Sequence, residues 1–256
     1  MLTFFHTIIL GIVEGFTEFL PISSTAHLIL TAKLLQIPET NYVKSFEIII
    51  QLGAILAVVF LYWKKFLDLE VLKKLVVAFL PTGVLGLVFY KIIKNYLLGN
   101  IPVVLTSLAV GGLILILFEK YFSHPNENAT WDVKNISYKH CLYLGLFQSI
   151  AMIPGVSRSA ATIIGGRAIG IPKRAIVEFS FLLAVPTMAA ATGLDLLKNA
   201  GSFSSSQFGS LSIGFIVSFL MAIVSIRWLL DYVKRHDFTA FGVYRIALVI
   251  LFLFLI

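Results

Sequence analysis

Charge is what this sequence lacks most. Of its 256 residues 13% are charged and 59% hydrophobic, against about 25% and 45–50% in soluble domains. A mean hydropathy of +0.95 excludes an ordinary soluble domain and marks a polytopic membrane protein. Cysteine is nearly absent. Cys141 stands alone, so an intrachain disulfide is excluded and the redox compartment is not legible. Long polar linkers are missing as well. The longest polar stretch, Glu119 to Lys139, is too short to separate folding units, and one membrane domain over 1–256 is expected. The N-terminus has no basic n-region, and Glu14 and Glu18 interrupt its apolar run, which is not a signal-peptide pattern. The net charge of +7 fits an excess of Lys and Arg in cytoplasmic loops, and no nucleic-acid partner is expected from it.

What is present is apolar length. A crossing needs about 20 largely apolar residues, and six stretches qualify: 46–62, 75–93, 101–118, 176–197, 211–230 and 239–256. Two further apolar stretches, 4–35 and 140–170, are broken by Pro21 and by Pro154-Gly155. Each half is short of a crossing, so both read as re-entrant helix pairs, tolerated at membrane depth where protein or a water-filled cavity surrounds them. The expected fold is therefore all-α, with six transmembrane helices plus two re-entrant pairs. The order repeats, with repeat one about 1–120 and repeat two about 138–256. At an offset of 134, Gly11 matches Gly145, Glu14 matches Gln148, Ser23 matches Ser157, Thr25 matches Ser159 and Ala26 matches Ala160. Three spans per repeat invert the second copy, an architecture that places its site at the repeat interface near the midplane.

Loop charge sets the orientation. One side collects Lys64, Lys65, Lys73, Lys74, Lys120, Lys134, Lys139, Arg167, Lys173, Arg174, Lys234 and Arg235. The other has Lys33, Lys44, Lys91, Lys94 and Lys198. The richer side is cytoplasmic by the positive-inside rule. Both termini then lie outside, and the two hairpins enter from opposite faces so that their tips can meet.

The stretch EGFTEFLPISSTAH, Glu14 to His27, concentrates polar chemistry inside this apolar chain. Glu14 and Glu18 lie four apart, on one helix face. Ser23, Ser24 and Thr25 follow Pro21 as candidate caps of a second helix, and Ser23 and Thr25 are equally candidate ligands of a substrate phosphate. PGVSRSAAT, Pro154 to Thr162, mirrors it. Each buried charge costs at least about 2.5–3.5 kcal/mol at the bilayer centre, so Glu14, Glu18 and Arg158 must pair, be hydrated or hold a ligand. Helix starts within the membrane offer unpaired N–H groups and a positive dipole end to an anion. Gly155 permits close approach of backbone. Arg158 supplies a fork matched to phosphate oxygens, and Ser157, Ser159 and Thr162 supply further donors. Glu14 and Glu18 can hold a hard divalent cation, Mg or Ca, or one of them can act as general base. His27 and Ser24 are both candidate nucleophiles, with water as the third. The set suits phosphoryl transfer.

These two motifs, E-x-x-x-E-F-L-P-I-S-S-T-x-H and P-G-x-S-R-S-x-x-T, closely resemble those of the bacterial undecaprenyl-diphosphate phosphatases of the bacitracin-resistance type. The resemblance extends over the whole length and span pattern, including Tyr244-Arg245. It implies hydrolysis of undecaprenyl diphosphate to undecaprenyl phosphate and inorganic phosphate at the outer face of the bacterial inner membrane, recycling the cell-wall lipid carrier, with a divalent cation. By motif position it implies catalytic roles for Glu14, Glu18, Ser24, His27 and Arg158, with Ser157 and Thr162 near the phosphates. The expected partners are a polyprenyl diphosphate lipid and the bilayer, with a homodimer left open.

Broken helices in inverted repeats also suit a transporter or flippase of polyprenyl phosphate, and a non-catalytic lipid scaffold is a third class. The paired carboxylates and His27 favour chemistry, which simple anion transport does not require. Glu47 and Glu178 read as helix-start residues paired with Lys44 and Arg174. Arg245 reads either as snorkelling to an interface or as touching a phosphate or carboxylate. His6, His124, His140 and His236 read as interfacial or loop residues.

Overall fold

A computed structural model describes residues 2–97, 99–122, 132–199 and 208–255. The connection between the expected spans 176–197 and 211–230 falls largely outside these, and His124 wholly so. Among the described residues ten α-helices follow one another and no strand occurs. They are α1 (Phe4–Thr17), α2 (Ser24–Leu34), α3 (Asn41–Phe66), α4 (Leu69–Ile92), α5 (Ile101–Tyr121), α6 (Tyr138–Ser149), α7 (Arg158–Ala168), α8 (Lys173–Asn199), α9 (Phe208–Tyr232) and α10 (Thr239–Leu255).

Five helices, α3, α4, α5, α8 and α9, are long and apolar enough to cross a membrane. The sixth expected span is a shorter apolar helix of 17 residues, α10. In the two broken stretches, α1 has 14 residues and α2 has 11. At 1.5 Å per residue these measure about 21 and 16 Å, short of a core about 30 Å thick. α1 stops at Thr17, four residues before Pro21, where the proline ring would meet the carbonyl of Thr17 if the helix continued. Pro81 and Pro186 instead lie inside α4 and α8, which run on past them.

Small residues decide which helices touch. A Cβ on Gly15 would lie 2.2 Å from the Ser218 carbonyl oxygen, and one on Gly11 would lie 2.9 Å from that of Gly214, so α1 rests on the backbone of α9. A Cβ on Gly145 would lie 2.2 Å from the Ala78 carbonyl oxygen, so α6 rests on α4 in the same way. α3 packs against α8 and α9, and α5 against α10. The main core joins Phe19, Phe179, Phe181 and Leu182 to residues of α3, α4, α6 and α9.

The lysine-rich end is held by ion pairs. Lys65 reaches Asp132 at 2.9 Å and Glu178 at 3.8 Å, Lys134 reaches Asp68 at 2.5 Å, and Lys74 reaches Glu70 at 3.4 Å. The hydrogen bond from Lys134 holds the Asp68 carboxyl below its usual range, and the one from Lys65 does the same for Asp132. Glu178 thus pairs with Lys65, not with Arg174 one turn away, because α8 presents it to the end of α3. Lys44 pairs with Glu39 at 3.8 Å, not with Glu47. Arg167, counted above among loop charges, is buried in the last turn of α7.

Candidate functional site

The site begins with two backbone breaks of the same kind. Glu18 closes α1, its N–H bonded to Glu14 O. The chain reverses, and α2 starts from Ser23 at φ 71°, whose Oγ accepts the Ala26 N–H at 3.5 Å. α6 ends at Ser149, a 3₁₀ turn covers Ile150–Met152, and Gly155 turns at φ 94°. α7 then starts from Ser157 at φ 64°, whose Oγ accepts the Ala160 N–H at 3.3 Å. Positive φ is unfavourable for serine, and the side-chain cap bond offsets part of that cost. Outside Gly, positive φ among the described residues occurs at Ser23, Ser157 and Gln36.

The two breaks touch. Ser159 Oγ donates to Leu20 O at 2.8 Å, and Ser157 Oγ lies 3.5 Å from the same oxygen. One carboxylate joins them. Glu18 Oε2 accepts the hydroxyl of Ser24, and Glu18 Oε1 accepts Arg158 Nη2 at 3.1 Å. Arg158 Nη1 donates to Ser180 O at 2.8 Å, and the guanidinium lies over the Phe19 ring at 5.8 Å. The side chains of Arg158 and Glu18 are 11% and 5% exposed, so removing either partner of this pair would leave a buried charge at a cost of about 3–5 kcal/mol.

These residues wall a cavity of about 250 Å³. Its charged side is built from Glu18, Ser23, Ser24, Thr25, Ser157 and Arg158, with Gly155 beside them. A polar side carries Gln51, Thr82, Gln148 and Thr187, and Met152, Met188 and Ala191 give an apolar edge. A guanidinium, several hydroxyls and the N–H groups of two helix starts give the cavity the donors that an anion requires.

Not every residue expected from the sequence reaches that wall. Ser159 spends its hydroxyl on Leu20 O, and Thr162 Oγ1 donates to Arg158 O at 3.0 Å. Glu14 is fully buried, and both of its carboxylate oxygens lack a hydrogen-bond donor among the described residues. Among the charges that act on it, Glu18 acts most strongly. His27 is buried with both ring nitrogens engaged, Nδ1 with Ser23 O at 2.7 Å and Nε2 with Tyr244 Oη at 2.8 Å, its ring stacked on that tyrosine. Arg245 neither snorkels nor meets a carboxylate. It is fully buried and donates to the carbonyls of Leu108, Ser107 and Gly155.

The polar side of the cavity escaped the sequence reading, apart from Gln148 as the match of Glu14. Gln148 Nε2 donates to Thr82 Oγ1 and to Thr187 Oγ1, each at 3.0 Å. Both threonines already donate to backbone carbonyls, of Gly145 and Leu183, so their oxygens accept and the amide orientation is fixed. The available signal was the Pro-Thr pair inside two apolar spans, Pro81-Thr82 and Pro186-Thr187.

A family model described as bacitracin resistance protein BacA matches residues 7–251. An undecaprenyl-diphosphatase of Sulfurihydrogenibium sp. (strain YO3AOP1) is 51% identical over 254 residues, covering 98% of each chain. One of Aquifex aeolicus (strain VF5) is 50% identical over 96% of each chain. One of Bdellovibrio bacteriovorus is 47% identical over 100% of this chain and 97% of its own.

Proposed function

This chain belongs to the bacitracin resistance protein BacA family, and on that basis we propose that it is an undecaprenyl-diphosphatase, hydrolysing undecaprenyl diphosphate to undecaprenyl phosphate and inorganic phosphate. The observation that carries the chemistry is the Glu18 carboxylate, held between the Ser24 hydroxyl and the Arg158 guanidinium at the cavity wall. The diphosphate sits in the anion cradle of Arg158, Ser157 and the two helix starts. Ser24 Oγ forms a bond to the terminal phosphorus while its proton passes to Glu18, and the bond to the bridging oxygen breaks, releasing undecaprenyl phosphate. Glu18 passes that proton to the departing undecaprenyl phosphate and, ionised again, takes one from the water that attacks the phosphoserine; the bond between phosphorus and Ser24 Oγ breaks, inorganic phosphate leaves, and the proton on Glu18 returns to Ser24 Oγ. His27 is not on the cavity wall, which supports a holding role over a nucleophilic one.

Glu14 and Glu18 are the residues that would hold a divalent cation, Mg or Ca. The two orphaned oxygens of Glu14 beside a second carboxylate fit a hard cation with oxygen ligands. When bound, such an ion neutralises phosphate charge as a Lewis acid.

The same reading extends to the membrane. Five long apolar helices make this a multi-pass protein; the sixth crossing by α10, the re-entrant character of α1–α2 and α6–α7, and the inverted repeat belong to the proposal. Support for the repeat comes from Ser23 and Ser157, and from Gln36 and Gly170, which share positive φ at the offset of 134. Cavity residues Thr187, Met188 and Ala191 lie toward the end of α8 that the lysine split assigns to the outside. That supports a site opening to the outer face of the inner membrane, with both termini outside. A polyprenyl-phosphate transporter is not favoured, since transport has no use for a base on Ser24.

The test is phosphate release from undecaprenyl diphosphate by detergent-purified protein, with no membrane to cross. Wild type releases phosphate and Ser24→Ala does not. Acid quenching during turnover should leave phosphoserine on the peptide containing Ser24. Turnover without phosphoserine would make water the nucleophile, and absence of phosphate release would sink the reading.

A further inference from the structure

The two strained helix starts are held from one place, the consecutive pair Tyr244-Arg245 of α10. Tyr244 Oη meets His27 Nε2 at 2.8 Å, and His27 Nδ1 meets Ser23 O at 2.7 Å. A carbonyl can only accept, so Nδ1 carries a proton. In the neutral ring Nε2 then accepts from the tyrosine hydroxyl, and the chain Tyr244–His27–Ser23 O is complete. Ser23 is the residue at φ 71° that launches α2 and sets Ser24 beside Glu18.

The next residue does the same for the other break. Arg245 Nη2 donates to Gly155 O at 2.7 Å and to Ser107 O at 3.0 Å, and Nε donates to Leu108 O at 3.2 Å. The guanidinium thereby ties the Gly155 turn to α5, against which that turn is already pressed. A Cβ on Gly155 would lie 2.6 Å from the Val104 carbonyl oxygen. Gly155 leads in two residues to Ser157, the residue at φ 64° that launches α7 and Arg158. Room for the guanidinium is provided by Gly111, where a Cβ would lie 2.3 Å from Arg245 Nη2. Both buried serine conformations are costly in isolation and persist only where surrounding structure over-determines them.

We propose that Tyr244 and Arg245 are positioning residues for the phosphatase reaction, one fixing the Ser23-Ser24 start and the other the Gly155–Arg158 start, so that α10 sets the distance between the attacking hydroxyl and the anion cradle. The inference rests on the phosphatase reading above. Neither residue lines the cavity. Each acts through a backbone carbonyl, and an error of about 1 Å in such a site costs about a hundredfold.

The experiment is steady-state kinetics on the full-length chain in detergent, with kcat and KM per folded molecule and the melting midpoint of each variant. Tyr244→Phe removes only the hydroxyl. It should lower kcat about tenfold or more with KM within about threefold, because Ser24 loses its aim while the anion cradle stays intact. Arg245→Lys reaches fewer carbonyls, and a buried lysine endangers folding. Gly111→Ala keeps the arginine and displaces it, and should raise KM about tenfold by loosening the Gly155 turn. Wild-type kcat and KM in both Tyr244→Phe and Gly111→Ala, whatever their melting midpoints, would overturn the positioning role while leaving the phosphatase reading intact. Failure of the wild type itself to release phosphate would overturn that reading and the inference with it.

Discussion

Arg158 reaches Glu18 from the other half of the chain, Nη2 to Oε1 at 3.1 Å, while its Nη1 is held by Ser180 O at 2.8 Å. The guanidinium is thus fixed at two points in a plane, beside the carboxylate that accepts the Ser24 hydroxyl. The single nitrogen of a lysine cannot take the places of both Nη1 and Nη2, because its ammonium is one compact charge.

Arg158→Lys should therefore lose most activity although charge is retained. A charge-assisted hydrogen bond is worth about 1.5–3 kcal/mol, which corresponds to turnover slower by about ten- to two-hundredfold. Phosphate release and the melting midpoint are measured together. Near-normal turnover would mean that Arg158 only neutralises Glu18.

Glu18→Gln should abolish turnover while the protein still purifies, because the amide keeps the shape but cannot take a proton from Ser24. Glu14→Gln should be milder, since Gln148 occupies the equivalent place in the second half with its amide nitrogen held by Thr82 and Thr187. Activity of Glu18→Gln within about threefold of wild type, roughly 0.65 kcal/mol of barrier, would remove it from the mechanism.

Gly15→Ala should destabilise the fold. Its methyl would sit 2.2 Å from the Ser218 carbonyl oxygen, so α1 must move off α9, at a cost of about 1–3 kcal/mol for overpacking. Thermal melting in detergent reads this directly; an unchanged midpoint would show that the α1–α9 contact is not limiting.

Orientation can be read on intact cells. With Cys141 replaced, a cysteine at Leu67, exposed between α3 and α4, should resist an impermeant thiol reagent. One at Ser204 should react. Labelling of the Leu67 position from outside would reverse the topology.

Acid should loosen the lysine-rich end. Lys134 and Lys65 hold Asp68 and Asp132 below the usual carboxylate range. Groups lowered on folding add stability above their unfolded pKa, about 3.9 for aspartate, and lose it as pH falls through the lowered folded values. The melting midpoint should fall in that window, and the double variant Asp68→Asn, Asp132→Asn should lack this component. An identical acid profile in the double variant would exclude these two pairs as its source.

The sequence by itself determined the membrane class, the places where two short helix pairs break, and the residues that bring charge into apolar surroundings. These are local matters: hydropathy over about twenty residues, proline chemistry at Pro21, and a spacing of four that puts Glu14 and Glu18 on one face. The tertiary structure decided which of those residues share a cavity. It put Ser24 and Arg158 on the two oxygens of Glu18, turned Ser159 and Thr162 toward backbone carbonyls, set His27 against Tyr244, and faced Gln148 with Thr82 and Thr187. No local pattern encodes such pairings. They follow from how closely α1 approaches α9 and α6 approaches α4, which is set by the missing side chains of Gly11, Gly15 and Gly145 meeting carbonyl oxygens far along the chain.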